Sequence, residues 1–223
     1  MKKLTVKIDH ADKIFFVGDI HGEITKLNEK LEEVGFDKER DHLFSVGDLI
    51  DRGEDSLSCL SLIQEEWFRA VRGNHEDLMI NAVVNESDNH LACWLQNGAQ
   101  WYFDLNQEDR MYADDLAKLA NDELPYVMEI HHRGKVIVMC HANYPSDEYT
   151  GNVSRDDLFD IVWDRSRIDN IKRNKPSEKI KGADLFVFGH TPLRSPLKVD
   201  NCLWIDTGAV FGKEMTVIDI DDI

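Results

Sequence analysis

An α/β fold with a parallel sheet in its N-terminal half is predicted by three observations. Apolar runs recur at Ile14–Val17, His42–Val46 and Phe68–Val71, each long enough for a buried strand. The stretches between them carry apolar residues at helical spacing. Each run ends in glycine followed by oxygen or imidazole side chains: Gly18-Asp19-Ile20-His21-Gly22, Gly47-Asp48-Leu49-Ile50-Asp51-Arg52-Gly53 and Gly73-Asn74-His75-Glu76. Asp19 and Asp48 are 29 residues apart, Asp48 and Asn74 a further 26. That is the length of a strand–helix–strand unit, so the three tips should line one edge of one sheet.

The elements follow in order. After the first strand, Ile24, Leu27, Leu31 and Val34 mark a helix, and Gly35 suits its end. Leu57, Leu60 and Ile63 mark a second helix, and Leu78 to Val84 a third. The first 85 residues therefore read βαβαβα. Residues 88–124 are helical in pattern and rich in aromatics (Trp94, Trp101, Tyr102, Phe103), which suits a cap packed on the sheet or a substrate-recognition surface. Beyond Pro125 the chain turns β-rich. Tyr126–Ile130 and Lys135–Cys140 flank a hairpin turn at His131-His132-Arg133-Gly134. Leu185–Phe188, Leu203–Asp206 and Met215–Ile220 read as strands, and Arg165–Lys181, with Pro176, as a mobile loop. Two of these strands repeat the earlier pattern: one runs into His141, another into Gly189-His190.

Composition narrows the function. A chain of 223 residues with 42% hydrophobic content can hold one large domain, and a site drawing on residues 19 to 190 argues for a single domain over 1–223. No window approaches the ~18 apolar residues of a membrane helix, and Met1–Lys13 has no apolar core of a secretory signal, so the cytoplasm is expected. Cys59, Cys93, Cys140 and Cys202 form no CxxC pair and read as small hydrophobes. The net charge of −17 speaks against nucleic acid or an anionic membrane as partner. Metals and arginines can still make a positive pocket inside an acidic protein.

The chemistry of the five tips points to two divalent metals about 3.5–4 Å apart, which clamp a phosphate and generate hydroxide at neutral pH. Asp48, in the middle tip, is the natural bridging carboxylate. Asp19 and His21 complete the first metal; Asn74, His141 and His190 complete the second. A set without thiolate suits manganese, iron or zinc. His75, next to ligand Asn74, is placed to protonate the leaving oxygen. Asp51 is placed to hold His75, or to pair with a nearby arginine. Arg52 and Arg72 flank the second and third tips, and Arg165 is a third phosphate-binding candidate. The remaining histidines, His10, His42, His90, His131 and His132, have no motif around them.

These residues resemble the phosphoprotein phosphatase family of metallophosphoesterases, whose signature GDxHG, GDxxDRG and GNHE stands here unbroken. The resemblance covers nearly the whole chain and is strongest to compact phage and bacterial members. It implies a central β-sandwich flanked by helices, with the later strands forming a second sheet. It implies in-line attack on phosphorus by a hydroxide bridging two metals, manganese first and iron, zinc or nickel as alternatives. By match of motif, Asp19, His21, Asp48, Asn74, His141 and His190 hold metal, His75 with Asp51 is the general acid, and Arg52, Arg72 and Arg165 bind phosphate. The implied substrates are phosphoserine and phosphothreonine in proteins, with phosphotyrosine and aryl phosphates besides, and the expected state is a monomer. Symmetrical hydrolysis of dinucleoside tetraphosphates is the alternative. Two positions depart from the pattern: Asn143 stands where similar sequences have Asp, and Asp164 where they have a neutral residue.

Overall fold

The computed structural model describes residues 2–8, 12–175 and 179–223. Strands β2 (Ile14–Val17), β3 (His42–Ser45) and β4 (Phe68–Ala70) pair in parallel, with Ile14 opposite His42 and Leu43 opposite Phe68. Helices α1 (Ile24–Glu33) and α2 (Ser56–Ser61) make the crossovers. Every residue of β2 is buried, as a strand covered on both faces requires. One antiparallel edge strand, β10 (Val217–Asp219), completes this sheet in the order β10-β2-β3-β4.

A second sheet holds six strands in the order β1-β5-β6-β7-β9-β8. They are β1 (Lys3–Lys7), β5 (Val127–His132), β6 (Lys135–Met139), β7 (Leu185–Phe188), β8 (Leu197–Val199) and β9 (Cys202–Trp204). Strands β6 and β7 are parallel, so His141 and His190 leave the same edge. The period-2 rule shows how the sheets face each other. Phe16, Phe44 and Val46 from one sheet pack against Ile130, Ile137, Met139 and Val187 from the other. Their chain neighbours point outward: Phe15 and Leu43 lie with Leu27, Leu31 and Leu60, and Val138 and Phe186 lie with Ile161 and Ile168. The result is a β-sandwich between helical layers.

The middle of the chain is helical, as its pattern predicts: α3 (Asn74–Val83), α4 (Asp88–Asn97), α5 (Gln100–Asp104) and α6 (Gln107–Glu123). Three local expectations are corrected. The hairpin turn is two residues, Arg133-Gly134, not four, and both have positive φ (48° and 76°), as a type I′ turn requires. The basic stretch after Arg165 is not all loop, since α8 (Ser166–Lys172) follows α7 (Leu158–Trp163); Pro176 lies outside the described residues. Strands β1 and β8 add to the elements expected from the pattern. Both are short, partly exposed edge strands with little apolar signal.

Among the described residues no helix is long and apolar enough to cross a membrane. The four cysteines are free, and Cys140 is buried in the outer layer, turned away from its neighbour His141 as strand alternation predicts.

Candidate active site

The five tips lie beyond the carboxyl ends of β2, β3, β4, β6 and β7, and their polar side chains are buried: Asp19, His21, Asp48, Asp51, Asn74, His75, His141 and His190. The backbone there is unusual. His21 (φ 47°), Asp48 (52°), Asp51 (74°), Arg52 (73°) and His190 (65°) all take the left-handed conformation, at about 1–2 kcal/mol each. Such strain persists only where surrounding contacts over-determine it. Here Ile20 and His21 donate backbone N–H bonds to the Asp48 carbonyl (3.1 and 2.8 Å). The Glu76 carboxylate accepts from the N–H groups of Gly73 (3.0 Å), Asp48 (2.9 Å) and Leu49 (2.7 Å), tying the second tip to the third. Gly73 is required by proximity, since a Cβ there would sit 2.2 Å from Asp48 Oδ1. Gly47, at φ 95°, is required by conformation.

Two groups of ligand atoms converge, and they share Asp48. One is His21, Asp48 and His75; the other is Asp48, His141 and His190, each within 4.8 Å. His141 Nε2 is 3.2 Å from Asp48 Oδ2 and 2.9 Å from Asn74 Oδ1. His21 Nε2 is 3.6 Å from the same Asp48 oxygen. The second nitrogen of each histidine is fixed by a carbonyl: His21 Nδ1 bonds Ile50 O (2.8 Å), His141 Nδ1 bonds Val46 O (2.7 Å) and His190 Nε2 bonds Trp163 O (3.2 Å). That leaves His21 Nε2, His141 Nε2 and His190 Nδ1 facing inward, the usual outer support of a metal-binding imidazole. Asp19 stands beside these groups, its carboxylate accepting the His190 N–H (3.1 Å to each oxygen).

The charges fit cations. Burial drives His21 down to about 3, against the pull of Asp48, and burial with His141 drives His190 down to about 2, so both imidazoles are neutral, as metal ligation requires. Burial opposes ionisation of Asp48, but the His141 and His75 imidazoles hold it well below the usual carboxylate range. His141 is correspondingly raised to about 9: burial lowers it, and Asp48 more than restores it. Asp19 is raised by burial and by Asp206, and Asp206 is itself pushed up to about 6, mainly by burial. Asp19 and Asp206 resist ionisation beside the neutral His21 and His190, while His141 holds a proton against Asp48; a divalent ion would stabilise the carboxylates and take the place of that proton.

His75 Nδ1–H donates to Asp51 Oδ2 at 2.5 Å, while its buried Nε2 has no partner among the described residues and sits 3.9 Å from Asp48 Oδ2. Of the arginines, Arg52 places Nη1 2.7 Å from His21 Nε2. Arg52 and Arg165 line a cavity of about 200 Å³ with Asp19, His21, His190 and Asp206. Arg72 departs from expectation. Its guanidinium is turned to the Asn121 carbonyl (3.0 Å) and the Tyr126 hydroxyl (3.3 Å), away from that cavity. The two departures from the family pattern meet: Asn143 Nδ2 donates to Asp164 Oδ2 at 2.7 Å, and Asp164 also accepts from Ser166, so its charge is engaged.

Four residues at the site lie outside the roles that the motifs suggest. Glu76 carries a signal, lying three residues beyond the helix-capping glycine. Asp206 repeats the strand-then-ligand pattern after β9. Trp94 and Trp101, whose indole N–H groups reach Asp51 (2.8 and 2.6 Å), carry none.

A β-sandwich whose strand tips gather aspartate, asparagine and histidine around one buried carboxylate defines a metal-dependent phosphoesterase. Residues 12–194 match the model of the calcineurin-like phosphoesterase family, and the chain belongs to that family, which uses divalent metals. It is 43% identical over 204 residues to serine/threonine-protein phosphatase 1 of Salmonella typhimurium, covering 92% of this chain and 90% of that protein. It is 28% identical over 220 residues to an asymmetrical bis(5'-nucleosyl)-tetraphosphatase of Anoxybacillus flavithermus, covering 91% and 88%. A protein serine/threonine phosphatase from Saccharomyces cerevisiae shares the fold, with TM-score 0.60 at 14% identity over 91% of this chain and 70% of that one.

Proposed function

We propose that the protein is a metal-dependent serine/threonine protein phosphatase that also accepts phosphotyrosine and aryl phosphates. The observation that carries this reading is the buried Asp48 shared by two convergent side-chain groups, in the first of which the His75 Nε2 has no hydrogen-bond partner among the described residues. Asp19, His21 and Asp48 hold the first cation; Asp48, Asn74, His141 and His190 hold the second. When bound, the two cations, manganese in the first instance, supply an activated hydroxide and neutralise the phosphate. Arg52 and Arg165 orient phosphate oxygens. The proton bond to Asp51 keeps Nδ1 of His75 occupied, so the transferable proton sits on Nε2, facing the leaving oxygen. The whole chain serves as one catalytic domain, because the site draws on Asp19 through Asp206. The proposed setting is a cytoplasmic monomer acting on phosphoproteins.

The similarity to a tetraphosphatase favours a second reading, hydrolysis of dinucleoside tetraphosphates; that relative is named asymmetrical, whereas the family resemblance implies symmetrical cleavage. Metal-stripped protein restored with manganese, nickel, iron, zinc, magnesium or calcium, and offered a phosphoserine peptide beside a dinucleoside tetraphosphate, decides. The expected result is manganese-restored turnover of the peptide. A large preference for the nucleotide replaces the first reading with the second, and its products show where the chain is cut.

A further inference from the structure

We propose that Trp94 and Trp101 are positioning residues for proton transfer: their indole N–H groups clamp Asp51 in the one orientation that holds His75. The inference rests on the reading of His75 as general acid. Asp51 is fully buried. Trp94 Nε1 lies 2.8 and 3.1 Å from its two oxygens, Trp101 Nε1 lies 2.6 Å from Oδ1, and His75 Nδ1 lies 2.5 Å from Oδ2. Three N–H donors therefore meet two oxygens. An indole can only donate, and an ionised carboxylate can only accept. A rotated Asp51 would leave a buried donor unmatched, which costs more than the bond contributes. The indoles thus hold the carboxylate in register.

The convergence is not a default of buried tryptophan. Trp204, equally buried, has an Nε1 with no partner among the described residues, and Trp67 bonds a glutamate two residues away in the chain. Trp94 and Trp101 come instead from two helices, α4 and α5, and reach 43 and 50 residues back to one carboxylate. The turn between them is pressed onto the same loop: at Gly98 (φ 118°) a Cβ would lie 3.1 Å from Arg52 N and 3.2 Å from Asp51 Cβ. The backbone N–H of Asp51 is held separately, by Ser56 Oγ at 2.8 Å.

The test uses Trp94→Phe and Trp101→Phe, which keep a ring and remove the donor, with His75→Asn as reference. Each is assayed on a phosphoserine peptide, whose alkoxide needs a proton, and on a dinitrophenyl phosphate, whose leaving group does not. Metal content is measured throughout. Each Trp→Phe change should lower kcat on the peptide roughly tenfold, the scale of a hydrogen bond to a charged group. KM, metal content and dinitrophenyl turnover should hold. In an Asp51→Asn background the same changes should add nothing, since both act through Asp51. Equal losses on both substrates, or full additivity with Asp51→Asn, overturn the proposal. Leaving-group dependence in His75→Asn but not in the tryptophan variants overturns it alone; none in His75→Asn overturns the general acid with it. Should Trp94→Phe not fold, Trp101→Phe, at a half-buried site, carries the test.

Discussion

Asp48 and Asp51 sit three residues apart in one loop, both buried and both at positive φ, yet they belong to different regions of the molecule. Asp48 faces the strand tips and meets the imidazoles of His21, His75 and His141. Asp51 faces the helical segment and meets two indoles and the far side of His75. The strand tips supply the proposed ligands. Helices α4 and α5 instead bring the two indoles to the carboxylate behind the proposed general acid. The contribution of α4 and α5 should therefore be sought in proton transfer through Asp51, not in metal content.

The largest effect should come from breaking the first side. Asp48→Asn removes the shared ligand, and turnover should fall by about 10³-fold or more, with metal content, read by atomic spectrometry, falling in parallel. Asp51→Asn should separate the regions. It places an amide where three donors converge, so His75 loses its anchor while the six proposed ligands stay in place. A kcat loss of roughly 10² on a phosphoserine peptide is expected, within the range of general-acid effects, at unchanged metal content. If the two asparagine variants lose metal equally, the comparison fails. Gly98→Ala is the next smaller break. It strains a φ of 118° and crowds Asp51 from behind without touching a ligand. About a tenfold loss in kcat is expected, because misplacement by about 1 Å can cost about 100-fold. Unchanged kcat with an unchanged melting temperature would show that the turn yields freely.

Legibility in the amino-acid sequence follows the same division. Ligand types beside glycine after a strand are local patterns, so the six proposed ligands, together with His75 and Asp51, are legible in the sequence alone. His141 and His190 need only the added observation that two later strands end in histidine. The sandwich is not legible from pattern, because a strand buried on both faces does not reveal which sheet it joins; the family resemblance is needed. Trp94 and Trp101 are legible only as part of an aromatic cap or recognition surface, with no sign of a tie to Asp51. Seven residues apart and separated by Gly98, they look like ordinary core aromatics, and their meeting on Asp51 depends on how α4 and α5 dock. Asn143 and Asp164, 21 residues apart, each look like a lone departure until the fold pairs them.

Arg72 marks the limit of reading a role from position. It flanks a tip as Arg52 does, but its side chain is 5% exposed, with the guanidinium 4.7 Å over the Tyr126 ring and bonded to Asn121 of α6. It joins the third tip to the helical segment, so its removal should be felt in folding. Arg72→Ala is expected to cost about 2 kcal/mol of stability, from a lost buried charge-assisted hydrogen bond and ring contact, while KM for a phosphopeptide changes by about twofold or less. Arg52→Ala should do the reverse, raising KM about tenfold with little change in melting temperature, because its guanidinium lines the cavity beside His21. Urea unfolding and Michaelis–Menten curves on the pair distinguish the roles. A KM effect at Arg72 as large as at Arg52 would mean that Arg72 swings into the cavity when phosphate binds, and would make the third tip a phosphate-binding element after all.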